Sequence, residues 1–189
     1  MKKGDLNSKG FTIIEVALVL AIAGLIFLMV FIALPGLRAS QRDTDRRASV
    51  MTFLDKVKEY QTANRGALPG GSTSTNNAIK VTVNSTGDEA SWPGFYKAYL
   101  GNNFVDPSGE NYKLTILSCG ETRADVACSK KSTNKELGEI YDATFPNDYK
   151  MIVVKQASCY GDQVVASSNP RKLAVVYKLE GAGVYCNNT

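Results

Sequence analysis

The stretch FTIIEVALVLAIAGLIFLMVFIAL, residues 11–34, decides how the rest of the chain is organised. It contains 24 residues, and Glu15 is the only one that carries a charge. As a helix it is roughly 36 Å long, which is enough to cross the roughly 30 Å hydrocarbon core of a bilayer. A carboxylate in that environment costs on the order of 2.5–3.5 kcal/mol, so we expect Glu15 to have a function and a partner. The sequence therefore predicts a membrane-spanning helix with one functional acid.

The ten residues before this stretch, MKKGDLNSKG, are short, polar and cationic. An ordinary secretory signal has an apolar region of about 7–15 residues followed by a small-residue cleavage site, and this sequence fits neither feature. A simple signal anchor is the alternative. Charge does not settle the orientation, because three lysines precede the span and four arginines follow it: Arg38, Arg42, Arg46 and Arg47.

Residues 9–24, KGFTIIEVALVLAIAG, resemble the class III signal of type IV prepilins. The resemblance combines a short basic leader, Gly followed by Phe, Glu four residues after that Phe, and an unbroken apolar helix. It implies that a prepilin peptidase cuts after Gly10 on the cytoplasmic face and that the new N-terminus, Phe11, is N-methylated. It also implies that Glu15 neutralises the Phe11 amine of a neighbouring subunit, since two charges that are each costly in a low dielectric become tolerable as a pair. A carboxylate that reaches the membrane interface or is protonated is the alternative for Glu15.

Pro35 and Gly36 close the apolar run. Proline removes a backbone donor and clashes with the preceding helical turn, so a kink or local melting is predicted there. The family commonly has a proline slightly nearer the cleavage site, which leaves open where the helix loosens in an assembled filament.

A second helical segment, residues 35–64, begins polar and becomes amphipathic. Val50, Leu54 and Val57 fall on one stripe, which predicts that this part of the helix lies on a domain. Residues 38–47 offer little apolar surface. We expect them to be solvated or to face other subunits, with their alternating Arg and Asp side chains pairing between copies or remaining solvated.

Residues 65–189 are predicted to form an α+β domain. SWPGFYKAYLG (91–101) places aromatic residues at helical spacing and indicates packed core. AIKVTVNS (78–85) and the segment after the DPSG turn (106–109) are strand candidates, and GAGVYC (181–186) is a short third strand or return. YKMIVVKQASC (149–159) and RKLAVVYKLEG (171–181) are predicted to form an antiparallel pair joined by a loop. The long N-terminal helix would then pack on an antiparallel sheet of three to five strands, which is the pilin fold of the family.

The four cysteines, Cys119, Cys128, Cys159 and Cys186, all lie beyond the hydrophobic run. They form no CxxC, and the chain has no His, so a zinc site is not favoured. We expect disulfides, on the interpretation that this part of the protein is outside the cytoplasm; buried free thiols are the alternative. Four cysteines allow three pairings, of which Cys119–Cys128 and Cys159–Cys186 are favoured.

Charge and motifs exclude most catalytic and nucleic-acid functions. Residues 65–189 carry 13 Lys and Arg against 12 Asp and Glu, so the domain is near neutral. The cluster Lys130, Lys131 and Lys135 keeps DNA binding open. There is no Gly-rich phosphate loop, EF-hand pattern or G-x-S-x-G elbow, so we expect no metal, no cofactor and no enzymatic activity.

The resemblance implies a structural subunit of a type IV pilus filament that serves adhesion, twitching motility or DNA uptake. Its implied organisation is a leader (1–10), a transmembrane and filament-core helix (11–34), a polar to amphipathic helix (35–64) and a head domain (65–189). Its implied partners are copies of itself, the prepilin peptidase, the assembly platform and its ATPase motor. It would lie in the cell membrane with a cytoplasmic N-terminus before assembly and in an extracellular pilus afterwards. The alternatives are a pseudopilin of a type II secretion or competence system, or a monomeric membrane-tethered ectodomain that binds a ligand.

Overall fold

The computed structural model describes residues 10–70, 79–119, 151–180 and 183–189. The chain divides into two compact units, one that ends at Ala39 and one that comprises Ser40–Thr189. The helix α1 (Ile13–Ala63) contributes to both units. The first nine residues of the predicted leader lie outside the described residues.

The first unit contains the apolar part of α1. Its side chains are strongly exposed in the single chain, with Phe11 88% and Ile13 90% accessible. Among the described residues, α1 is the helix that is long and apolar enough to cross a membrane. It remains helical through Pro35 and Gly36. The kink predicted at these two residues for the assembled filament stays a prediction.

The second unit is an α+β domain in which the C-terminal part of α1 packs on a β-sheet, as predicted. Its described strands are β1 (Ile79–Val81), β2 (Leu114–Ser118), β3 (Met151–Lys155), β4 (Ala157–Tyr160), β5 (Gln163–Ala166), β6 (Leu173–Lys178) and β7 (Val184–Asn188). Five of them form one sheet in the order β1-β2-β3-β6-β7, and β4 and β5 form a two-stranded sheet. The predicted antiparallel pair of β3 and β6 is confirmed, and β7 extends it on the other side of β6.

One neighbour relationship departs from the predicted antiparallel sheet. Strands β2 and β3 are parallel, with Leu114 opposite Met151 and Ser118 opposite Lys155. Parallel neighbours need a crossover of a dozen or more residues, and residues 119–150 between these strands meet that length. The sheet is therefore rich in antiparallel pairs without being wholly antiparallel.

The connection between β3 and β6, predicted as a loop, is a hairpin. Strands β4 and β5 pair around Gly161, which has a positive φ of 61° and makes the tight turn. The prediction was wrong here because Gly161, Asn169 and Pro170 are loop signals, and the two strands on either side of Gly161 are only four residues long each. The hairpin covers the face of the sheet that α1 leaves open, and Val164 is fully buried there.

The core between α1 and the sheet is aromatic, which confirms the packed-core interpretation of residues 91–101. The short helix α2 (Trp92–Phe95) continues into a π-helical turn, Tyr96–Leu100. Phe53 of α1 contacts this segment, with its ring 5.9 Å from that of Phe95 in an edge-to-face arrangement. These contacts fix the C-terminal half of α1 on the domain.

Candidate functional site

The first turn of α1 is closed by a reciprocal contact between Thr12 and Glu15. The Glu15 carboxylate accepts hydrogen bonds from the Thr12 backbone N–H at 2.9 Å and from the Thr12 hydroxyl at 2.8 Å. The Glu15 N–H donates to the Thr12 hydroxyl at 3.4 Å. This is a capping box, in which an N-cap Thr and a Glu three residues later satisfy each other's backbone donors. The spacing T-x-x-E was readable in the sequence, so Glu15 has a local partner that the sequence analysis missed.

The residues around the predicted cleavage point lie on accessible surface. Gly10 and Phe11 are exposed, and Phe11 lies immediately before the capping box. Phe11, Glu15, Val16, Val19 and Leu20 line one apolar hollow on the surface of the helix. Glu15 therefore lies among apolar side chains that are exposed to solvent in the single chain.

A known protein-family motif covers the segment around Gly10, Phe11 and Glu15. Residues 5–31 match the model of the prokaryotic N-terminal methylation motif, which includes Gly10, Phe11 and Glu15. Comparisons with curated proteins and with solved structures find no match. The motif, together with the long apolar helix that continues from it, indicates a class III signal peptide of the prepilin type at the N-terminal end of the chain. These features support a type IV pilin-like or pseudopilin-like protein, and the motif indicates a structural protein.

A second constellation lies where α1 meets the domain. Residues 38–47 were expected to be solvated or to pair with other subunits, but Asp43 and Arg46 are buried within this chain at 9% and 6% exposure. Arg46 Nε lies 3.0 Å from Asp106 Oδ2, and Arg46 Nη1 lies 2.6 Å from Glu180 Oε1. The expectation was wrong for these two residues, because their partners come from segments that are distant in sequence; Arg38, Asp45 and Arg47 are exposed as expected.

The remaining members complete a network that we call the ionic cluster: Arg42, Asp43, Arg46, Asp106, Tyr177 and Glu180. The Arg42 guanidinium donates hydrogen bonds to both carboxylate oxygens of Glu180, and Asp43 Oδ1 accepts the Glu180 backbone N–H at 2.9 Å. The Tyr177 hydroxyl donates to Asp106 Oδ2 at 2.9 Å. The cluster joins α1 to the turn before β2, to β6 and to the segment after β6.

Burial and hydrogen bonding have opposite effects on the pKa of Asp106 and on that of Arg46. Burial alone would raise the pKa of Asp106, but hydrogen bonds from Arg46, Ser108 and Tyr177 hold it well below its usual range. Burial alone would lower the pKa of Arg46, but its hydrogen bond to Asp106 leaves the pKa raised, so the guanidinium stays charged. Burial raises the pKa of Tyr177, and the adjacent Asp106 charge raises it further. Arg46 and Asp106 are thus both ionised at neutral pH, with Tyr177 as a neutral donor.

The cysteines brace the same unit. A disulfide joins Cys159 of β4 to Cys186 of β7, which is the pairing that the sequence favoured. Cys119 is also disulfide-bonded. Cys128 lies outside the described residues, as do Lys130, Lys131 and Lys135, so the Cys119–Cys128 pairing and a DNA contact by these lysines stay predictions.

Proposed function

We propose that the chain is a structural subunit of a type IV pilus filament. The methylation motif at residues 5–31 carries this proposal, because it continues into an apolar helix whose side chains are exposed in the single chain. Apolar surface of that extent has to be covered by lipid or by other helices. The helix of residues 11–34 is therefore held in the membrane before assembly and packs with its copies in the filament core.

Removal of the leader creates the N-terminal amine that pairs with Glu15 during assembly. Prepilin peptidase removes residues 1–10 by cutting after Gly10, and Phe11 becomes an N-methylated amine. The accessibility of Gly10 and Phe11, before the first helical turn, supports such a cut. The new cation lies next to an acid that costs several kcal/mol in hydrocarbon, and pairing it with Glu15 of a neighbour reduces the cost of burying both charges. Glu15 then serves both its own helix cap and the contact between subunits.

The remaining parts follow from this role. Residues 35–64 connect the core helix to the domain, and residues 65–189 form the head at the filament surface. Partners are other copies of the chain, the prepilin peptidase, the assembly platform and its ATPase motor. The subunit spans the cell membrane once with its N-terminus in the cytoplasm, and after assembly it is extracellular. The filament serves adhesion, twitching motility or DNA uptake.

Two other functions use the same sequence features. A pseudopilin of a secretion or competence system shares the signal and the fold. The disulfide between β4 and β7 suits a head domain outside the cytoplasm and is compatible with both kinds of subunit, because the periplasm and the cell exterior are both oxidising. A monomeric tethered ectodomain would keep its leader, and the identity of the mature N-terminus separates it from both filament subunits.

The charge pairing is tested by replacing Glu15 with Gln. Gln also completes a capping box, so Glu15→Gln keeps the local helix cap and removes only the charge. We expect a processed, membrane-inserted protein that does not enter sheared filaments. Glu59→Gln, the same change at an exposed acid of α1, is the matched control and should assemble normally. Normal filament yield from Glu15→Gln would show that the cap, and not the charge, is what assembly requires.

A further inference from the structure

The ionic cluster occupies positions of α1 where a helix that packs on a domain normally has apolar side chains. Within α1, all of which the structure describes, Asp43 and Arg46 are the only residues buried before Val50. The continuous apolar stripe begins at Val50 and includes Phe53 and Val57, which are fully buried. Two helical turns, residues 42–49, are therefore held on the domain mainly by charged side chains.

A weak point lies just N-terminal to these turns. Pro35 cannot donate a helical hydrogen bond, and its ring opposes the carbonyl of Phe31 four residues earlier. Gly36 adds a residue that costs about 1 kcal/mol in a helix relative to Ala. If α1 unwinds during assembly or under tension, unwinding starts here and proceeds toward the domain.

We propose that the ionic cluster is a clamp that stops the unwinding of α1 at residue 42. The buried part of the clamp is Arg46 with Asp106 and Tyr177, and its outer part is Arg42 with Glu180, whose side chains are 39% and 34% exposed. Both arginines contact Glu180, whose backbone N–H also binds Asp43, so the contacts are mutually dependent. This inference rests on the proposed function, because it concerns a subunit that assembles.

The position of the clamp sets how far the helix can extend. An extended residue spans about 1.8 Å more than a helical one, so unwinding residues 36–41 lengthens the chain by roughly 11 Å. Without the clamp, unwinding would reach the apolar stripe at Val50, and residues 36–49 would add roughly 25 Å by the same arithmetic. The clamp therefore roughly halves the extension that each subunit can supply before its core is disturbed.

Hydrogen exchange read by mass spectrometry, on full-length subunits in detergent micelles and on sheared filaments, tests the clamp. In the unmodified filament we expect amides of residues 42–49 to exchange at least about tenfold more slowly than those of residues 36–41. Arg46→Lys keeps the charge but loses the planar fork that contacts three acids at once, and it should speed exchange at residues 42–49 about tenfold. Arg38→Lys makes the same change at an exposed arginine of α1, one turn before Arg42 and outside the cluster, and should leave exchange within about twofold of the unmodified protein.

The exchange of β3 and β6 shows whether the effect is local. The clamp is supported if these strands keep their protection in Arg46→Lys while residues 42–49 lose theirs. It is overturned if residues 42–49 are unchanged by Arg46→Lys, if they already exchange as fast as residues 36–41 in unmodified filaments, or if β3 and β6 lose protection to the same degree. The micelle comparison needs no filament, so a chain that never assembles would contradict the proposed function while the effect of Arg46→Lys could still be measured.

Discussion

Arg46 on α1 and Asp106 in the turn before β2 form a buried ion pair across 60 residues of sequence. The Arg46 Nε atom lies 3.0 Å from Asp106 Oδ2, and the two side chains are 7% and 0% exposed. Tyr177 donates to the same carboxylate oxygen from β6. The Asp106 carboxylate thus connects α1, the turn before β2 and the sheet, and its loss should destabilise all three.

Asp106→Asn should lower the free energy of unfolding by about 3–5 kcal/mol, because it leaves a buried guanidinium without its main counter-charge. The measurement is denaturant unfolding of the full-length protein in detergent. Glu59→Gln removes an acid from an exposed helical pair with Lys56 and should cost no more than about 0.5 kcal/mol. Equal losses from the two substitutions would contradict the assignment of Asp106 as the centre of the cluster.

Stability should fall in acid because of the same residue. The pKa of Asp106 is lowered in the folded protein, so its contribution is complete above the ordinary Asp pKa of about 3.9 and is lost as the pH falls toward the lower folded value. Unfolding free energy measured from pH 6 downward should therefore decline below about pH 4. Asp106→Asn should make that decline shallower. A decline of the same steepness in the variant would place the acid sensitivity elsewhere.

Removing the Cys159–Cys186 disulfide should destabilise the domain through its hairpin. The cysteines are 27 residues apart, and a ring of that size contributes about 3.6 kcal/mol in the loop-entropy model. The double substitution Cys159→Ala and Cys186→Ala should lower the unfolding free energy by roughly that amount. It should also speed hydrogen exchange in β4 and β5 more than in β3. Uniform exchange across both sheets would argue against a local brace, and Tyr160→Phe at the exposed hairpin tip is the control that should change neither measurement.

Structural features that depend on a short stretch of sequence could be predicted, whereas features that depend on contacts between distant segments could not. The apolar helix of residues 11–34, the strands β3 and β6 and the aromatic packing around Trp92 could be predicted because each depends on a short local pattern. The hairpin of β4 and β5 was missed because its strands are short and interrupted by loop residues. The parallel pairing of β2 with β3 depends on a connection of some thirty residues, which no local pattern encodes.

The candidate sites divide in the same way. Gly10, Phe11 and Glu15 lie within one short motif, so they could be singled out from the sequence. The ionic cluster could not, because Asp106 and Glu180 lie 60 and 137 residues from their partners on α1. Charges on a helix with few apolar neighbours indicate a solvated face, and only the tertiary structure shows that this face is buried.

The mature N-terminus tests the central claim most directly. Filaments sheared from cells that produce the chain should be digested and their N-terminal peptide identified by mass spectrometry. The account predicts a peptide that begins with N-methylated Phe11 and lacks residues 1–10. A protein that keeps Met1 and the intact leader, or that is absent from sheared filaments although abundant in the membrane, would contradict it.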